Sequence, residues 1–239
     1  MDNCFDGTWH IELSFELALG NGNMISLQNI SKYYPTRFGP NYILKDLNID
    51  IPDDRDIAIL GRNGSGKTTL MRIIGGIDHP NKGRVVSNRF ISWPLGVGPG
   101  FHGVMTGREN VRYVCRIHGV KETKHVEAFV REFSEIGENF DLPIGGYSSG
   151  MRMRYGFAVS MGFDFDTYLM DEIMAVGDAE FKQKCSETLK QKRSTSNIIL
   201  VSHNMDIVRE HCNAAILLAY GRAEFYESVD QAIYRYLRS

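Results

Sequence analysis

The sequence predicts an α/β fold, because short apolar runs of strand length alternate with longer stretches of helical periodicity. Ile57–Leu60 is the first such run, and a helical apolar pattern follows it closely. Residues 168–170 and 198–201 form two later runs, and each of them leads into polar residues. We therefore expect three buried strands of one sheet, with helices packed against it.

The segment between the first strand and its helix, residues 61–68, fits G-x-x-x-x-G-K-[ST] at every fixed position. Its glycines allow a tight loop whose N–H groups cradle phosphate oxygens, Lys67 adds a positive charge near the β/γ-phosphates, and Thr68 can ligate Mg²⁺. A chance glycine-rich turn is the alternative, but the strand before and the helix after favour a phosphate site at a helix N-terminus. The expected binding residues are Gly61, Arg62, Asn63, Gly64, Ser65, Gly66, Lys67, Thr68 and Thr69.

Composition limits the possible functions. The chain has 239 residues, 43 % of them hydrophobic, and a net charge of −2, which is ordinary for one or two globular domains. That charge gives no electrostatic case for nucleic acid as a partner. The four cysteines lack metal-ligand spacing, which indicates reduced thiols in a cytosolic protein. No apolar run approaches the roughly 18 residues of a membrane span, so any membrane role is expected to act through a partner.

Residues 1–23 differ in character from the rest of the chain. They lack the basic start and continuous apolar core of a signal peptide and end in Gly-Asn-Gly-Asn, a flexible break. We expect a disordered N-terminal extension over 1–23, one nucleotide-binding domain over 24–239, and Met24 as the native start, a hypothesis that intact-mass measurement tests.

Two alternating runs, residues 25–30 and 43–51, predict strands joined by a polar, turn-rich loop, and so an antiparallel patch beside the nucleotide. An aromatic side chain just upstream of the phosphate loop can stack on adenine. Tyr34 is preferred for this role, while Tyr33 and Tyr34 can equally be packing residues at a strand end.

A helical insertion is expected after two more strands at residues 84–86 and 90–93. Residues 94–103 carry four glycines and two prolines, which predicts an exposed loop. Residues 106–136 then show apolar spacings of three and four, and this pattern is more typical of core helices than of a partner-binding face. We place the helical subdomain at about residues 95–160.

Three polar stretches follow the insertion. Ser148, Ser149 and Gly150 precede a predicted helix over 152–161, where they form either an N-cap or an anion site. Asp171 and Glu172 end an apolar strand; in a phosphate-loop protein the first carboxylate can hold Mg²⁺ and the second can accept a proton from the attacking water. His203 ends another strand, where it can donate to the γ-phosphate or the attacking water.

In this order, these motifs resemble the nucleotide-binding subunits of ABC transporters over about residues 25–237. The resemblance implies a P-loop NTPase (RecA-like) core that binds ATP and Mg²⁺. It implies Walker A at 61–68, a signature motif at 147–151, Walker B at 168–171, a D-loop at 175–178, Glu172 as the catalytic glutamate, His203 as the switch histidine and Tyr34 as the adenine-stacking aromatic. Two departures stand out: Tyr-Ser-Ser-Gly-Met replaces the usual Leu-Ser-Gly-Gly-Gln, and the glutamine expected before the helical subdomain is absent.

The chain resembles the ATPases that export capsular polysaccharide, with O-antigen and teichoic-acid exporters as near relatives. The resemblance lies in the variant signature motif, in Ile-Ser-Trp-Pro at 91–94 and in Gly-Arg-Glu-Asn at 107–110. This resemblance implies a homodimer at the cytoplasmic face of the bacterial inner membrane, bound to integral membrane permease subunits and the polysaccharide export machinery. It also implies that Ser148 to Gly150 of one chain complete the ATP site built on Lys67 of the other, and that residues 93–103 touch the permease. The rival from another class is a soluble ABC-type ATPase that acts on nucleic acid, and the near-neutral charge argues against it.

Overall fold

The computed structural model describes residues 24–95, 100–171 and 178–238. The described strands and helices, in chain order, are β1 (Met24–Thr36), β2 (Gly39–Pro52), β3 (Ile57–Leu60), α1 (Lys67–Ile74), β4 (Lys82–Ser87), β5 (Ile91–Pro94), α2 (Gly107–Ile117), α3 (Thr123–Ser134), α4 (Ser149–Met161), β6 (Thr167–Asp171), α5 (Ala179–Lys192), β7 (Asn197–Val201), α6 (Met205–His211), β8 (Ala214–Ala219), β9 (Arg222–Tyr226) and α7 (Val229–Tyr236). Two short 3-10 turns, Gly137–Asp141 and Ile144–Gly146, precede α4. The expected extension over residues 1–23 lies outside the described residues.

The larger sheet has six strands in the order β5-β6-β7-β3-β8-β9. All its neighbours are parallel except β9, which runs antiparallel to β8. Val201 of β7 pairs with Asp171 of β6 on one side and with Ile59 of β3 on the other. Because parallel strands end at the same edge, Asp171 at the end of β6 and the polar residues that follow β3 and β7 come together there.

Two hydrophobic clusters pack on opposite faces of this sheet. Adjacent strand residues point to opposite faces. Accordingly, Ile59 belongs to the cluster formed with α1, β1 and β2, and Leu60 belongs to the cluster formed with α2, α3, α4, α5 and α7. All four residues of β3 are fully buried, which explains why its sequence is apolar without alternation.

The smaller sheet has the order β2-β1-β4, with both pairs antiparallel. The antiparallel patch predicted from the sequence is present, but the loop expected between residues 31 and 41 is not. The strands continue to Thr36 and from Gly39, with register shifts near Ile30 and Lys32. The ring centroids of Tyr33 and Tyr42 are 5.0 Å apart across the ladder, and such cross-strand aromatic pairs stabilise strands that polar turn residues do not predict.

The β5–β6 pair contains a local irregularity at a proline. Pro94 has no N–H, and the register shifts between Ile91 and Pro94. The buried Ser92 hydroxyl accepts from the N–H of Leu169 at 2.8 Å and so replaces a backbone acceptor. The expected exposed loop is therefore wrong at Pro94 and Leu95, which are buried; residues 96–99 lie outside the described residues, and His102 to Val104 are exposed.

Helices α2, α3 and α4 occupy the chain between β5 and β6. A capping box begins α2: the Thr106 hydroxyl accepts from the N–H of Glu109, and the Glu109 carboxylate accepts from the N–H of Thr106. Trp93 anchors these helices to the sheet, because its indole Nε1 donates to the hydroxyl of Ser160 on α4 at 2.8 Å. No helix in the part of the chain that the structure describes has the length and apolar character needed to cross a membrane.

Candidate functional site

The loop between β3 and α1 is held in its shape by glycine at two crowded positions. Gly61 has φ +154°, and a Cβ there would lie 2.5 Å from the carbonyl oxygen of Leu218 on β8. Gly66 has φ +98°, and a Cβ there would lie 2.9 Å from Ile43 of β2. Both the conformation and the lack of space exclude a side chain. The loop is thus fixed against both sheets.

Lys67, the first residue of α1, folds back over the loop. Its ammonium donates to the carbonyl oxygens of Gly61 at 2.7 Å and of Arg62 at 3.1 Å, and the residue is only 8 % exposed. These bonds hold a positive charge at the mouth of the loop. They also compensate for removing that charge from water.

Thr68 and Asp171 meet at the C-terminal edge of the large sheet, although 103 positions separate them in the sequence. The Thr68 hydroxyl donates to Asp171 Oδ2 at 3.2 Å. A hydroxyl and a carboxylate oxygen side by side at a helix start are the hard oxygen ligands that Mg²⁺ takes from a protein when phosphates and water supply the rest. The donor set therefore fits the predicted metal. Glu172, the predicted base, lies outside the described residues.

The remaining loop residues differ in their exposure. Arg62, Asn63 and Gly64 are exposed, and Thr69 is half-buried. The Ser65 hydroxyl oxygen is buried and has no hydrogen-bond partner among the described residues. A buried polar atom of this kind needs an acceptor or donor from elsewhere, and a phosphate oxygen in the loop would supply one.

His203 is placed by the register of the sheet. It follows Val201, the last residue of β7, by two positions, and Val201 lies between Asp171 and Ile59. Asn204 caps α6 immediately after it, with Oδ1 accepting from the N–H of Asp206 at 2.9 Å. His203 is exposed at the same edge as the phosphate loop.

The two tyrosines of β1 differ in their surroundings. Tyr33 packs against Tyr42, whereas Tyr34 is 50 % exposed. The ammonium of Lys32 lies 5.6 Å from the ring centroid of Tyr34. Tyr33 therefore fits the alternative of strand-end packing, and the ring of Tyr34 is the one with surface available for a base.

The serine-rich helix start is at the N-terminus of α4, as the sequence predicts. Ser148 is the N-cap, and its hydroxyl accepts from the N–H of Met151 at 3.2 Å. Ser149 and Gly150 are exposed, and a Cβ on Gly150 would meet only the Ser148 hydroxyl, 4.0 Å away. The capping alternative thus describes Ser148, while the alternative of an anion site stays open for Ser149 and Gly150.

Arg154, a half-buried residue on the same helix, was not predicted from the sequence. Its guanidinium donates to Glu135 Oε2 at 2.6 Å and to Asp178 Oδ2 at 2.7 Å. The available signal was a basic residue close to an apolar, buried helical stretch. Periodicity does not reveal its partners, because they lie on two other elements.

The model of the family described as "ABC transporter" matches residues 44–175. The chain belongs to the ABC transporter family. The matched range contains the segments predicted as Walker A (residues 61–68), the signature motif (147–151) and Walker B (168–171). The family resemblance predicted from these motifs is confirmed.

Relatives in capsule export are similar over nearly their whole length. A polysialic acid transport ATP-binding protein KpsT of Escherichia coli is 47 % identical over 89 % of this chain and 96 % of that protein. The capsule polysaccharide export ATP-binding protein CtrD of Neisseria meningitidis is 43 % identical over 90 % of this chain and 99 % of that protein. An O-antigen export system ATP-binding protein RfbB of Klebsiella pneumoniae is 35 % identical over 83 % of this chain and 82 % of that protein. The predicted resemblance to capsular polysaccharide export ATPases, with O-antigen exporters as near relatives, is confirmed.

The fold is similar to that of a solved structure, the dimeric post-hydrolysis state of the ATP-binding cassette MJ0796 bound to ADP and Pi. The similarity covers 86 % of this chain and 99 % of the chain in that structure. The TM-score is 0.67 at 22 % sequence identity. This similarity confirms the predicted fold, an α/β ABC ATPase cassette.

Proposed function

We propose that this chain is the ATP-hydrolysing subunit of a capsular polysaccharide exporter and that it acts as a homodimer. In this proposal it lies at the cytoplasmic face of the bacterial inner membrane, bound to separate permease subunits. The observation that carries the proposal is the meeting of Lys67, Thr68 and Asp171 at one sheet edge, in a chain that is 41–48 % identical to capsule-export ATP-binding proteins.

The proposed roles follow from the geometry of the loop. The N–H groups from Gly61 to Thr69 and the Lys67 ammonium bind the phosphates of ATP, and the Tyr34 ring stacks on adenine. Thr68 and Asp171 hold Mg²⁺, which when bound neutralises charge on the β- and γ-phosphates. His203, at the same edge, orients the γ-phosphate or the attacking water.

Glu172 is the proposed general base. We expect Glu172→Gln to bind ATP but to lose turnover by about 10²–10⁴, the usual size of a general-base contribution. Phosphate release and filter binding of labelled ATP measure the two properties separately. Phosphate release near the wild-type rate would remove Glu172 from this role.

The dimer is proposed because Ser149 and Gly150 are exposed at the start of a helix whose free N–H groups attract an anion. In a head-to-tail pair, this helix start of one chain reaches the γ-phosphate bound by Lys67 of the other. Closing on ATP and reopening after hydrolysis then moves the permease, through the difference in affinity of ATP and ADP for the closed pair.

Mixing two inactive variants tests this arrangement. Lys67→Ala removes the phosphate-binding charge, and Ser149→Arg blocks the helix start while leaving ATP binding by its own loop intact. Each variant alone should be inactive. A 1:1 mixture should recover activity, up to about a quarter of the wild-type value if chains pair at random in a two-fold dimer, because mixed pairs contain one intact site.

The control mixes wild-type chain with a variant that carries both substitutions, because such mixed pairs contain no intact site. The cross-chain site is supported if the first mixture recovers ATPase activity and the second shows only the activity of its wild-type homodimers. An inactive first mixture, or Ser149→Arg that no longer binds ATP, contradicts it.

The segment predicted to contact the permease, residues 93–103, is only partly exposed. Trp93, Pro94 and Leu95 of the predicted contact segment are buried, whereas Val104 is 89 % exposed. Leu142 is also exposed, at 53 %. Its carbonyl oxygen accepts from the N–H of Gly107, so the segments that carry Val104 and Leu142 are neighbours. We propose that the exposed part, His102 to Val104 with Leu142, contacts the permease.

The Val104→Asp variant tests this surface, and Ile117→Asp, at another exposed apolar position, is its control. Val104→Asp should lose co-purification with the co-expressed permease and keep its basal ATPase activity, since Val104 is not part of the nucleotide loop. Equal permease binding by the two variants would exclude the surface. Fractionation with membranes only when the permease is present separates the exporter from the nucleic-acid alternative.

A further inference from the structure

Arg154, in the second turn of α4, joins three elements through one guanidinium. Besides its bonds to Glu135 and Asp178, the guanidinium lies over the ring of Phe181, 4.4 Å from the ring centroid. The Arg154 side chain is 19 % exposed, whereas those of Glu135 and Asp178 are 45 % and 66 % exposed, so the guanidinium is the more buried partner in both ion pairs. A planar group with five donors suits this arrangement, and an ammonium would not reproduce it.

Both carboxylates stand at the ends of helices. Glu135 is the C-cap of α3 in a left-handed conformation, φ 55°, and it also accepts from the Lys184 ammonium at 2.7 Å. Asp178 is the N-cap of α5, where Oδ1 accepts from the N–H of Phe181 at 3.0 Å. Arg154 therefore ties the beginning of α4 to the end of α3 and to the beginning of α5.

The charges of the cluster balance around Arg154. The hydrogen bond from the Phe181 N–H and then the Arg154 charge lower the pKa of Asp178, and Lys184 and Arg154 lower the pKa of Glu135. Both carboxylates are therefore ionised at neutral pH. Without the guanidinium, α4 would lose its ion pairs to Glu135 and Asp178. The two carboxylates would then repel each other across the space that Arg154 fills, although Glu135 would keep Lys184 as a partner.

We propose that Arg154 is a positioning residue for ATP hydrolysis: it fixes the first turns of α4, and with them Ser148 to Gly150, relative to the start of α5. The inference rests on the proposed function, since this orientation matters for hydrolysis only if the helix start completes the ATP site of the second chain. Arg154 acts through the backbone of α4, four residues after Gly150. Misplacing a binding group by about 1 Å can cost roughly 10²-fold in rate.

Two variants test the proposal. Arg154→Met removes the guanidinium, and Asp178→Asn removes one charge while keeping a good N-cap on α5. We expect kcat for ATP hydrolysis to fall roughly tenfold to hundredfold in both, the size expected for a misplaced binding group. The affinity of the dilute, monomeric chain for a fluorescent ATP analogue should stay unchanged, because the phosphate loop is on another element. ATP-dependent dimerisation should weaken in parallel with kcat.

Arg108→Met is the matched control. The Arg108 guanidinium also donates to two carboxylates, Asp141 at 2.7 Å and Glu127 at 3.1 Å, and lies over an aromatic ring, that of Phe140. Glu127 keeps Arg112 as a second partner in that variant. A general loss of stability would affect both variants, whereas a positioning role affects kcat only in Arg154→Met.

The outcomes are distinct. If Arg154→Met melts at a lower temperature but its folded fraction turns over and dimerises like wild type, Arg154 is structural and the proposal is overturned. If Arg154→Met does not fold, Asp178→Asn decides by the same criterion. In the double variant the kcat loss should not exceed that of Arg154→Met alone, and additive losses would contradict the coupling. A wild-type chain that neither hydrolyses ATP nor dimerises with it refutes the proposed function itself.

Discussion

Ser148 and Ser149 are neighbours with separate tasks. The Ser148 hydroxyl caps α4, whereas Ser149 is exposed. We expect Ser148→Ala to lower the free energy of unfolding by about 1 kcal/mol, the usual value of an N-cap, and Ser149→Ala to leave it unchanged. Urea unfolding followed by circular dichroism measures both. Equal stability of the two variants would show that the cap bond contributes nothing.

The loop between β3 and α1 is the part of the candidate site whose shape the sequence predicts best. The spacing of Gly61, Gly66 and Lys67 predicts the loop, because the Lys67 ammonium bonds to carbonyl oxygens within it. The steric limits at Gly61 and Gly66 come from Leu218 and Ile43 on other strands, and the sequence does not reveal them. The contact between Thr68 and Asp171 depends on the register of β6, β7 and β3, so the sequence indicates each residue but not their separation. Arg154 was missed because its partners belong to α3 and α5.

His118 connects α2 to the edge of the large sheet. The imidazole lies among three aromatic rings, with centroid distances of 5.5 Å to Phe90, 5.3 Å to Trp93 and 5.9 Å to Phe163. Burial lowers the pKa of His118 below its ordinary value of 6.5, since the charged form loses its hydration.

The lowered pKa predicts the direction of a pH effect. Below the unfolded-state pKa the unfolded chain binds the His118 proton more readily than the folded chain, so the free energy of unfolding falls as pH falls through 6.5. His118→Phe should remove this part of the pH dependence. Urea unfolding of both proteins between about pH 7.5 and pH 5.5 tests it, and parallel curves would contradict it.

Glu127 links α2 and α3 from a nearly buried position. Its carboxylate accepts from Arg112 at 2.7 Å and 3.2 Å and from Arg108 at 3.1 Å, and its side chain is 5 % exposed. Burial alone would raise the pKa of Glu127, but the hydrogen bonds and charges of Arg112 and Arg108 together lower it. The pair of arginines thus keeps a charged group inside the helical segment.

We expect Glu127→Gln to lower the free energy of unfolding by about 1–3 kcal/mol, because a neutral amide turns a donor toward the guanidinium groups. Glu132→Gln, an exposed position on the same helix, is the control and should have little effect. Urea midpoints measure both. Similar midpoints for the two variants would mean that the arginines find other partners at no cost.

Whole elements were predicted from apolar content, and the errors follow from that. The buried strands β3, β6 and β7 were all recognised. In contrast, β9 (Arg222–Tyr226) was missed, because none of its residues is fully buried and its polar residues dilute the signal. The extensions of β1 and β2 were missed because cross-strand contacts, not composition, make those residues extended.

At the scale of the whole molecule, the proposed head-to-tail pair makes activity depend on concentration. Each site needs groups from two chains, so specific ATPase activity should rise with protein concentration until the chains are paired. Stopped assays over about a hundredfold dilution, with sedimentation in ATP, measure this. Constant specific activity from a chain that sediments as a monomer would refute the shared site.

The close approach of Ile43 and Leu44 to Gly66 has a consequence for how the molecule responds to its ligand. The three-stranded sheet, which carries Tyr34 of the proposed adenine site, and the proposed phosphate loop are thus packed tightly against each other at Gly66. A tilt of the three-stranded sheet would therefore change the shape of the loop between β3 and α1. We therefore expect a nucleoside, which lacks phosphates and would contact that sheet alone, to change the position of Lys67 as well.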